Sequence, residues 1–191
     1  MRVLATLPDQ SLVLIHDDKR ASPEYPGVRY FATTDEMLAT PTAELDQLSE
    51  AGFRGDPYRG VVCEVDQVAQ LALGFARQRH RVRLVVDELD RALTPGGREL
   101  RSEYLRACLT QGRAMGLSVL WGTQTPQRVP REALDQASSL SLFRLGPRAL
   151  NYLDSVCLFD PAMLARVQTL DVGDFVLWRN GYPWDRCVYR F

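Results

Sequence analysis

The chain has 191 residues, of which 46% are hydrophobic and 25% are charged. This is enough apolar content for the core of one domain and too much for a disordered segment. Its four cysteines are far apart and form no CxxC pair. That spacing indicates neither a zinc site nor a disulfide framework and fits a reducing, cytoplasmic compartment. The longest apolar runs cover only a few residues, so neither a membrane span nor a secretory signal is expected.

Charge is distributed unevenly along the chain, although the formal net charge is only -1. Residues 1–76 hold six basic and twelve acidic side chains, whereas residues 77–148 hold thirteen basic and seven acidic ones. All the basic residues except Lys19 are arginines. The middle of the chain is therefore a candidate for contact with a polyanion, and pairing of these arginines with nearby surface acids is the alternative.

Short apolar runs typical of β-strands alternate with longer segments of helical periodicity. The predicted strands cover residues 11–16, 27–31, 60–63, 82–86, 118–122 and 139–144, and the predicted helices cover residues 66–79, 98–115 and 131–137. Residues 40–59, rich in proline, glycine and charge, are predicted to be irregular. The alternation predicts an α/β fold with a mostly parallel sheet flanked by helices.

The end of the chain has a different pattern. Residues 174–179 and 184–191 are strand-like and flank Asn180-Gly181, a dipeptide typical of two-residue turns. The sequence therefore predicts an antiparallel hairpin at the C-terminal end. We expect residues 171–191 to form a small hairpin unit packed on a core made by residues 1–170.

Two carboxylates follow the most apolar predicted strand, in residues 81–88 (RVRLVVDE). Parallel sheets bind ligands at the carboxyl ends of their strands, so Asp87 and Glu88 are predicted to lie at such an edge. In nucleotide hydrolases the first acid holds Mg²⁺, directly or through water, and the second polarises the attacking water. The alternative is that the pair caps the N-terminus of a following helix.

A second polar pair follows the next predicted strand. Residues 112–126 (GRAMGLSVLWGTQTP) place Thr123 and Gln124 directly after that strand. If the two strands are neighbours in the sheet, this pair lies beside Asp87 and Glu88. A glutamine there can hydrogen-bond both a γ-phosphate and the attacking water, and can thus sense whether the phosphate is present. The alternative is a polar turn before the proline that follows.

These segments together resemble the HerA/FtsK branch of the P-loop ATPases, a RecA-like group of ring-forming motors that translocate DNA. Residues 112–130 (GRAMGLSVLWGTQTPQRVP) resemble that branch's segment in which an arginine and a glycine precede a strand ending in Thr-Gln. Residues 81–90 (RVRLVVDELD) resemble its Walker B strand, and residues 11–19 (SLVLIHDDK) resemble the strand after its nucleotide-binding helix. Residues 173–191 are similar to its C-terminal strands, so the resemblance covers nearly the whole chain from Ser11.

The resemblance implies a role for each polar residue at the two strand ends. Asp87 would bind Mg²⁺ through water and, with Thr123, contact bound ATP. Glu88 would orient or deprotonate the attacking water, and Gln124 would be the sensor. Arginines of this branch often complete the site of a neighbouring subunit, and Arg113 is the candidate in the best-matched segment. The other candidates for that arginine are Arg128, Arg131 and Arg144.

The resemblance also implies ATP and Mg²⁺ as cofactors, a homo-oligomeric ring that is a hexamer by analogy, and DNA as a partner. The main departure is that the phosphate-binding motif GxxxxGK[ST] does not occur in the 191 residues, whose one lysine, Lys19, follows Asp18. Residues 1–170 are thus predicted to be a RecA-like core without its first strand and P-loop. ATP binding by the chain alone is not expected.

Three explanations of the missing motif are open. They are a truncated gene or misassigned start codon, a split gene with the P-loop on another chain, and a paralogue that has lost nucleotide binding. The first two make the chain a fragment of an ATP-driven DNA translocase. The third makes it a nonhydrolytic structural or regulatory subunit that keeps the ATPase fold.

Overall fold

The computed structural model describes residues 12–17, 26–41, 44, 47–56, 63–78, 81–94, 99–183 and 188–190. The chain divides into two units, Met1–Thr123 and Gln124–Phe191. In these described ranges, no helix is both long and apolar enough to cross a membrane. The division into residues 1–170 and 171–191 stays a prediction of domain organisation.

A five-stranded parallel sheet is the framework of the first unit. Its strands are β1 (Leu12–His16), β2 (Arg29–Phe31), β3 (Glu50–Phe53), β4 (Val82–Val86) and β5 (Leu117–Trp121), in the order β2-β3-β1-β4-β5. The helices of this unit are α1 (Thr34–Leu38), α2 (Val65–Ala76) and α3 (Glu103–Gln111). The parallel sheet with its flanking helices confirms the predicted α/β class.

Strands β1 and β4 lie in the interior of the sheet and pair in parallel, from Leu12 opposite Val82 to His16 opposite Val86. All five residues of β1 are buried, and so are four of the five in β4. Strands covered on both faces need nearly continuous apolar side chains, which explains the runs LVLI and VRLVV. Strand β5 stands last in the strand order, and Leu117 is its one buried residue.

Helices α2 and α3 pack together; α2 covers the central strands, and α3 contacts β5. Helix α2 contacts β1 and β4 through buried residues at helical spacing, among them Val68 and Ala72. Helix α3 begins at residue 103 because the Ser102 hydroxyl accepts a hydrogen bond from the Leu105 N–H at 2.8 Å. The observed helix therefore starts later than the predicted helix 98–115. Its last predicted turn is a 3₁₀ turn, Gly112–Met115.

A three-stranded antiparallel sheet forms the framework of the second unit. Its strands are β6 (Ser139–Leu142), β7 (Asp174–Arg179) and β8 (Val188–Arg190), in that spatial order, and its helices are α4 (Arg131–Asp135), α5 (Pro147–Cys157) and α6 (Pro161–Gln168). Strands β7 and β8 confirm the predicted C-terminal hairpin. Gly181 has a φ of 80°, as a turn at Asn180-Gly181 requires. The two strands do not pair directly next to this turn, however, since Val176 is opposite Val188. This register makes the connection longer than two residues.

Several predicted elements differ from the structure. Residues 50–53, expected to be irregular, form β3 inside the sheet, and Gly52 there lets the Tyr30 ring of β2 lie directly over its backbone. Cys63, expected to end a strand, precedes α2 instead, and residues 60–62 lie outside the described residues. Helices α5 and α6 were not predicted, and β6 pairs antiparallel to β7 rather than joining the parallel sheet.

Candidate functional site

The carboxyl edge of the first unit's sheet carries polar residues directly after its strands. Because the five strands are parallel, all of them end at this edge. The Asp17 N–H donates to the Phe53 carbonyl at 3.0 Å, and the Asp87 N–H donates to the His16 carbonyl at 3.2 Å. These bonds extend the ladder one residue past the strands, so Asp17 and Asp87 are neighbours along the edge.

Backbone contacts lock the ends of β4 and β5 together. The Gly122 N–H donates to the Val86 carbonyl at 3.0 Å, and the Leu89 N–H donates to the Gly122 carbonyl at 2.9 Å. A Cβ at Gly122 would lie 2.8 Å from the Asp87 carbonyl oxygen, which is too close without a shift of the backbone. Glycine is therefore required for this approach. The backbone of Asp87 is held by β1 on one side and by β5 on the other.

Glu88 is buried, with 7% of its surface exposed, whereas Asp87 is half-buried. Glu88 precedes a 3₁₀ turn, Leu89–Ala92, and its side chain makes no capping hydrogen bond to this turn in the described structure. Capping of this turn, the alternative raised by the sequence, is thus not the role of the Glu88 carboxylate. Because burial of a carboxylate is unfavourable unless other groups hold it, Glu88 is a fixed acid at this edge.

Thr123 lies at the end of β5 and is tied to the segment after β4. Its hydroxyl donates to the Asp90 Oδ1 at 3.0 Å. The sequence predicted Thr123 as a nucleotide contact, and the structure gives its hydroxyl this acceptor within the protein. Gln124 is exposed and is the first residue of the second unit. Its place beside Asp87 and Glu88 stays a prediction.

An ion pair that sequence reasoning missed lies on the other side of Asp87. Asp17 is 3% exposed, and Arg54 donates to its Oδ2 from Nε at 3.0 Å and from Nη2 at 2.5 Å. The Arg54 guanidinium also lies 4.5 Å from the centre of the Tyr30 ring. Asp17 and Arg54 are 37 residues apart, so no local pattern predicts the pair. The one sequence feature that could have indicated this pair is the position of Asp17 directly after β1, which is equivalent to the position of Asp87 directly after β4.

The residues next to Asp17 complete a buried corner of this edge. The His16 Nε2 lies 3.0 Å from the Cys63 carbonyl oxygen, and the His16 Nδ1 has no hydrogen-bond partner among the described residues. Burial, followed by the nearby Glu64 charge, raises the pKa of the Cys63 thiol to about 11. Cys63 is therefore protonated at neutral pH and is not a nucleophile there.

Arg113 lies at the opposite edge of the sheet from the acids. Arg113 is exposed and belongs to the 3₁₀ turn that precedes β5, whereas Thr123 follows β5. The five residues of β5 span about 16 Å, since a strand rises about 3.3 Å per residue. The structure therefore does not bring Arg113 to the Asp87 of its own chain. The remaining arginine candidates lie in the second unit, and their side chains are all exposed. They are Arg128, Arg131 and Arg144.

The two acids are of the kind that fits a magnesium ion, whereas the usual phosphate-binding motif does not occur in the 191 residues. Carboxylate oxygens such as those of Asp87 and Glu88 are preferred by Mg²⁺, which usually keeps several waters and takes one or two carboxylates. No trio of His, Cys, Asp or Glu that could cage a metal occurs in the part of the chain that the structure describes. The motif GxxxxGK[ST] does not occur in the sequence, and Lys19 lies outside the described residues.

Solved structures of viral genome-packaging enzymes have the same fold. The genome packaging NTPase B204 from Sulfolobus turreted icosahedral virus 2, in complex with sulfate, matches with a TM-score of 0.66 and 16% identity over 90% of this chain and 78% of that chain. Its complex with ATP-gammaS matches with a TM-score of 0.63 and 14% identity over 95% and 81% of the two chains. The similarity confirms the predicted fold class, an α/β fold with a mostly parallel sheet that these NTPases share.

B204 from Sulfolobus turreted icosahedral virus, described as a DNA-packaging ATPase, also matches, with a TM-score of 0.66 and 14% identity over 94% of this chain and 81% of that chain. No protein-family model matches the chain, and no curated protein does. At identities of 14% to 16%, these likenesses show a shared fold.

Proposed function

We propose that this chain is a subunit of an ATP-driven DNA translocase of the HerA/FtsK type and that Asp87 and Glu88 serve its ATP hydrolysis. One observation carries the proposal: two acids follow a buried strand in the interior of a parallel sheet, and backbone bonds fix them to the end of β5. The fold shared with a DNA-packaging ATPase supports it.

The acids differ in burial, and we assign them different roles for that reason. When bound, Mg²⁺ supplies positive charge to the phosphates of ATP. Asp87 is half-buried and reaches water, so it would hold the ion through water. Glu88 is buried and fixed, so it orients the attacking water and accepts its proton. Gln124 senses the terminal phosphate and Thr123 contacts the nucleotide, as the family resemblance implies.

Arg113 acts on the site of a neighbouring subunit in this proposal. It is exposed and separated from its own chain's acids by the length of β5, so it is available to a second copy. A guanidinium brought to a neighbour's triphosphate stabilises charge on the transferring phosphoryl group. A homo-oligomeric ring, a hexamer by the family resemblance, would place it there.

DNA is the proposed cargo. The excess of arginine over acid in residues 77–148 supports contact with a polyanion. Such contact is mainly to phosphates, so the affinity for DNA falls steeply as the salt concentration rises.

The phosphate cradle for ATP is supplied by a segment outside these 191 residues, because the sequence contains no GxxxxGK[ST].

The test is the rate of ATP turnover by the native assembly. Two preparations are compared, one that contains the wild-type chain and one that contains the Glu88→Gln variant. We expect the variant to bind ATP and to lose turnover by about 100-fold or more, because an amide does not accept the proton of water. Asp171→Asn is the matched control: it makes the same acid-to-amide change at an exposed turn of the second unit and should leave turnover unchanged.

Two results would contradict the proposal. An assembly that contains this chain and hydrolyses ATP equally well with Glu88→Gln would make the chain a nonhydrolytic structural or regulatory subunit. An assembly without any ATP turnover would remove the motor function altogether.

A further inference from the structure

The antiparallel sheet of the second unit has two different faces. Strand β6 alternates between exposed and buried residues, and its buried residues are Leu140 and Leu142. Val176 of β7 lies opposite Leu142 and is also buried, so these three residues form the core face. Because side chains alternate along a strand, the other face carries the remaining positions, and we call it the aromatic face. It consists of Ser139, Ser141, Phe143, Phe175, Leu177 and Arg179.

Two phenylalanines lie together on the aromatic face. Phe143 directly follows β6, and its ring centre is 5.5 Å from that of Phe175 in β7, with the ring planes inclined by 39°. Phe143 is 44% exposed, and Phe175 is half-buried. Contact of large aromatic rings with water is unfavourable, so this pair is the part of the face that gains most from a ligand.

The formal charge on the aromatic face is positive. Asp174 is the one acid in β6 and β7, and it is buried at a position that alternates with Phe175. Arg179 is exposed on the aromatic face, and Arg144, which directly follows Phe143, is exposed as well. The two serines of β6 are also exposed and add hydroxyl groups. A ligand that carries negative charge is therefore favoured here.

Aromatic rings next to arginines provide the chemistry that binds unpaired nucleic-acid bases. Every base has a π-face that stacks on an aromatic ring, while arginine holds the backbone phosphates. Phe175 and Arg179 are four residues apart on one strand, about 13 Å, so both contacts fit along β7. A duplex is a poor ligand for such rings, because its bases are already stacked on one another.

The apolar area of this face is small for a protein partner. A standard protein interface buries about 800 Å² on each side. A whole phenylalanine side chain buries about 150–250 Å², and both rings here are already partly covered. Leu177 is the only aliphatic residue of the face, and it is half-buried. The area fits a narrow ligand such as a single strand of DNA.

We propose that the aromatic face binds single-stranded DNA, with Phe143 and Phe175 stacked on unpaired bases and Arg179 in contact with phosphates. The proposal rests on the proposed function, in which DNA is the cargo, and deepens it by naming a surface and a contact to the bases. The excess of arginine in residues 77–148 supplies contacts to phosphates only. The test uses no ATP, so this site and ATP hydrolysis fail independently.

The test is fluorescence anisotropy of a labelled oligothymidine titrated with the full chain at several salt concentrations, with duplex DNA of equal length as the competitor. We expect the single strand to bind at least about fivefold more tightly than the duplex, because only its bases are open to stacking. Phe143→Leu should weaken binding of the single strand by about fivefold or more and leave the salt dependence unchanged, because no charge is lost. Arg179→Gln should instead lower the slope of log affinity against log salt concentration by about one.

Two further variants separate stacking from structural effects. Phe143→Tyr keeps an aromatic ring and should bind as the wild type does. Tyr104→Leu is the matched control, since it makes an aromatic-to-leucine change at a residue 41% exposed on α3 of the first unit, and it should leave binding unchanged.

Four results would each overturn the proposal. They are no binding of oligothymidine, equal affinity for the duplex, wild-type affinity in Phe143→Leu, and an equal loss of affinity in Tyr104→Leu. DNA binding that does not depend on Phe143 would remove this site and leave DNA as the cargo.

Discussion

Replacement of Arg54 by methionine is expected to destabilise the first unit strongly. The Asp17 and Arg54 side chains are only 2% and 14% exposed. Removing one partner of a buried ion pair leaves an uncompensated charge and costs about 3–5 kcal/mol. The cation–π contact of Arg54 with Tyr30, worth about 0.5–2 kcal/mol, is lost as well. Methionine keeps the apolar stem, so the change reports on the charge.

A matched control exists in the same sheet. Arg29 also pairs with a carboxylate, that of Glu44 at 3.0 Å, and lies 5.2 Å from the centre of the Phe31 ring. Its side chain and that of Glu44 are 48% and 55% exposed. Because exposed pairs contribute about 0–1 kcal/mol, Arg29→Met should have a small effect. The two variants differ mainly in the burial of the ion pair.

The assay is calorimetric unfolding of the two variants and the wild type. For a chain of this size, about 3–5 kcal/mol corresponds to a fall in melting temperature of about 6–20 °C for Arg54→Met. The double variant Asp17→Asn with Arg54→Met should recover part of the loss, because no buried charge remains. Equal losses in Arg54→Met and Arg29→Met would refute the reasoning from burial.

Three further predictions follow from the geometry of the edge. Gly122→Ala should destabilise the chain by about 1–3 kcal/mol in urea unfolding, because the added Cβ meets the Asp87 carbonyl oxygen; an unchanged midpoint would contradict this close approach. Burial raises the pKa of Cys63 to about 11 and that of Cys108 to about 12. Both thiols should therefore react with iodoacetamide at pH 8 about 100-fold more slowly than a free cysteine, and stability should fall as the pH rises above about 9, where only the unfolded chain loses these protons. Fast labelling of the folded chain would show that they are not buried. Titration calorimetry of the 191-residue chain with Mg·ATP should show no measurable binding, and tight binding would show that the phosphate cradle lies within this sequence.

The parts of the fold that the sequence predicted well are those whose burial is continuous. Residues 82–86 were predicted with the bounds that the structure has, because a strand covered on both faces needs an apolar run. Strand β3, Glu50–Phe53, was not predicted, because its run EAGF is short and contains a glycine. That glycine is explained only by a Tyr30 ring more than 20 residues away.

The candidate site was predictable only in part, for a similar reason. An acid pair after a buried strand can be read from consecutive residues, and the structure places Asp87 and Glu88 at the expected edge. The Asp17–Arg54 pair depends on two strands that meet only in the folded sheet, so neither residue alone indicated it. The sequence of its segment indicates Arg113 as the arginine candidate, and only the direction of β5 shows that it lies at the opposite edge from its own acids.

The most direct measurement is an experimental structure of the native assembly with Mg²⁺ and ATP-gammaS bound. We expect the metal to lie at Asp87, Glu88 and Gln124 to face the terminal phosphate, and an arginine from a neighbouring copy to reach the same phosphate. A nucleotide bound away from the carboxyl ends of β4 and β5, or Gln124 facing away from it, would contradict the account.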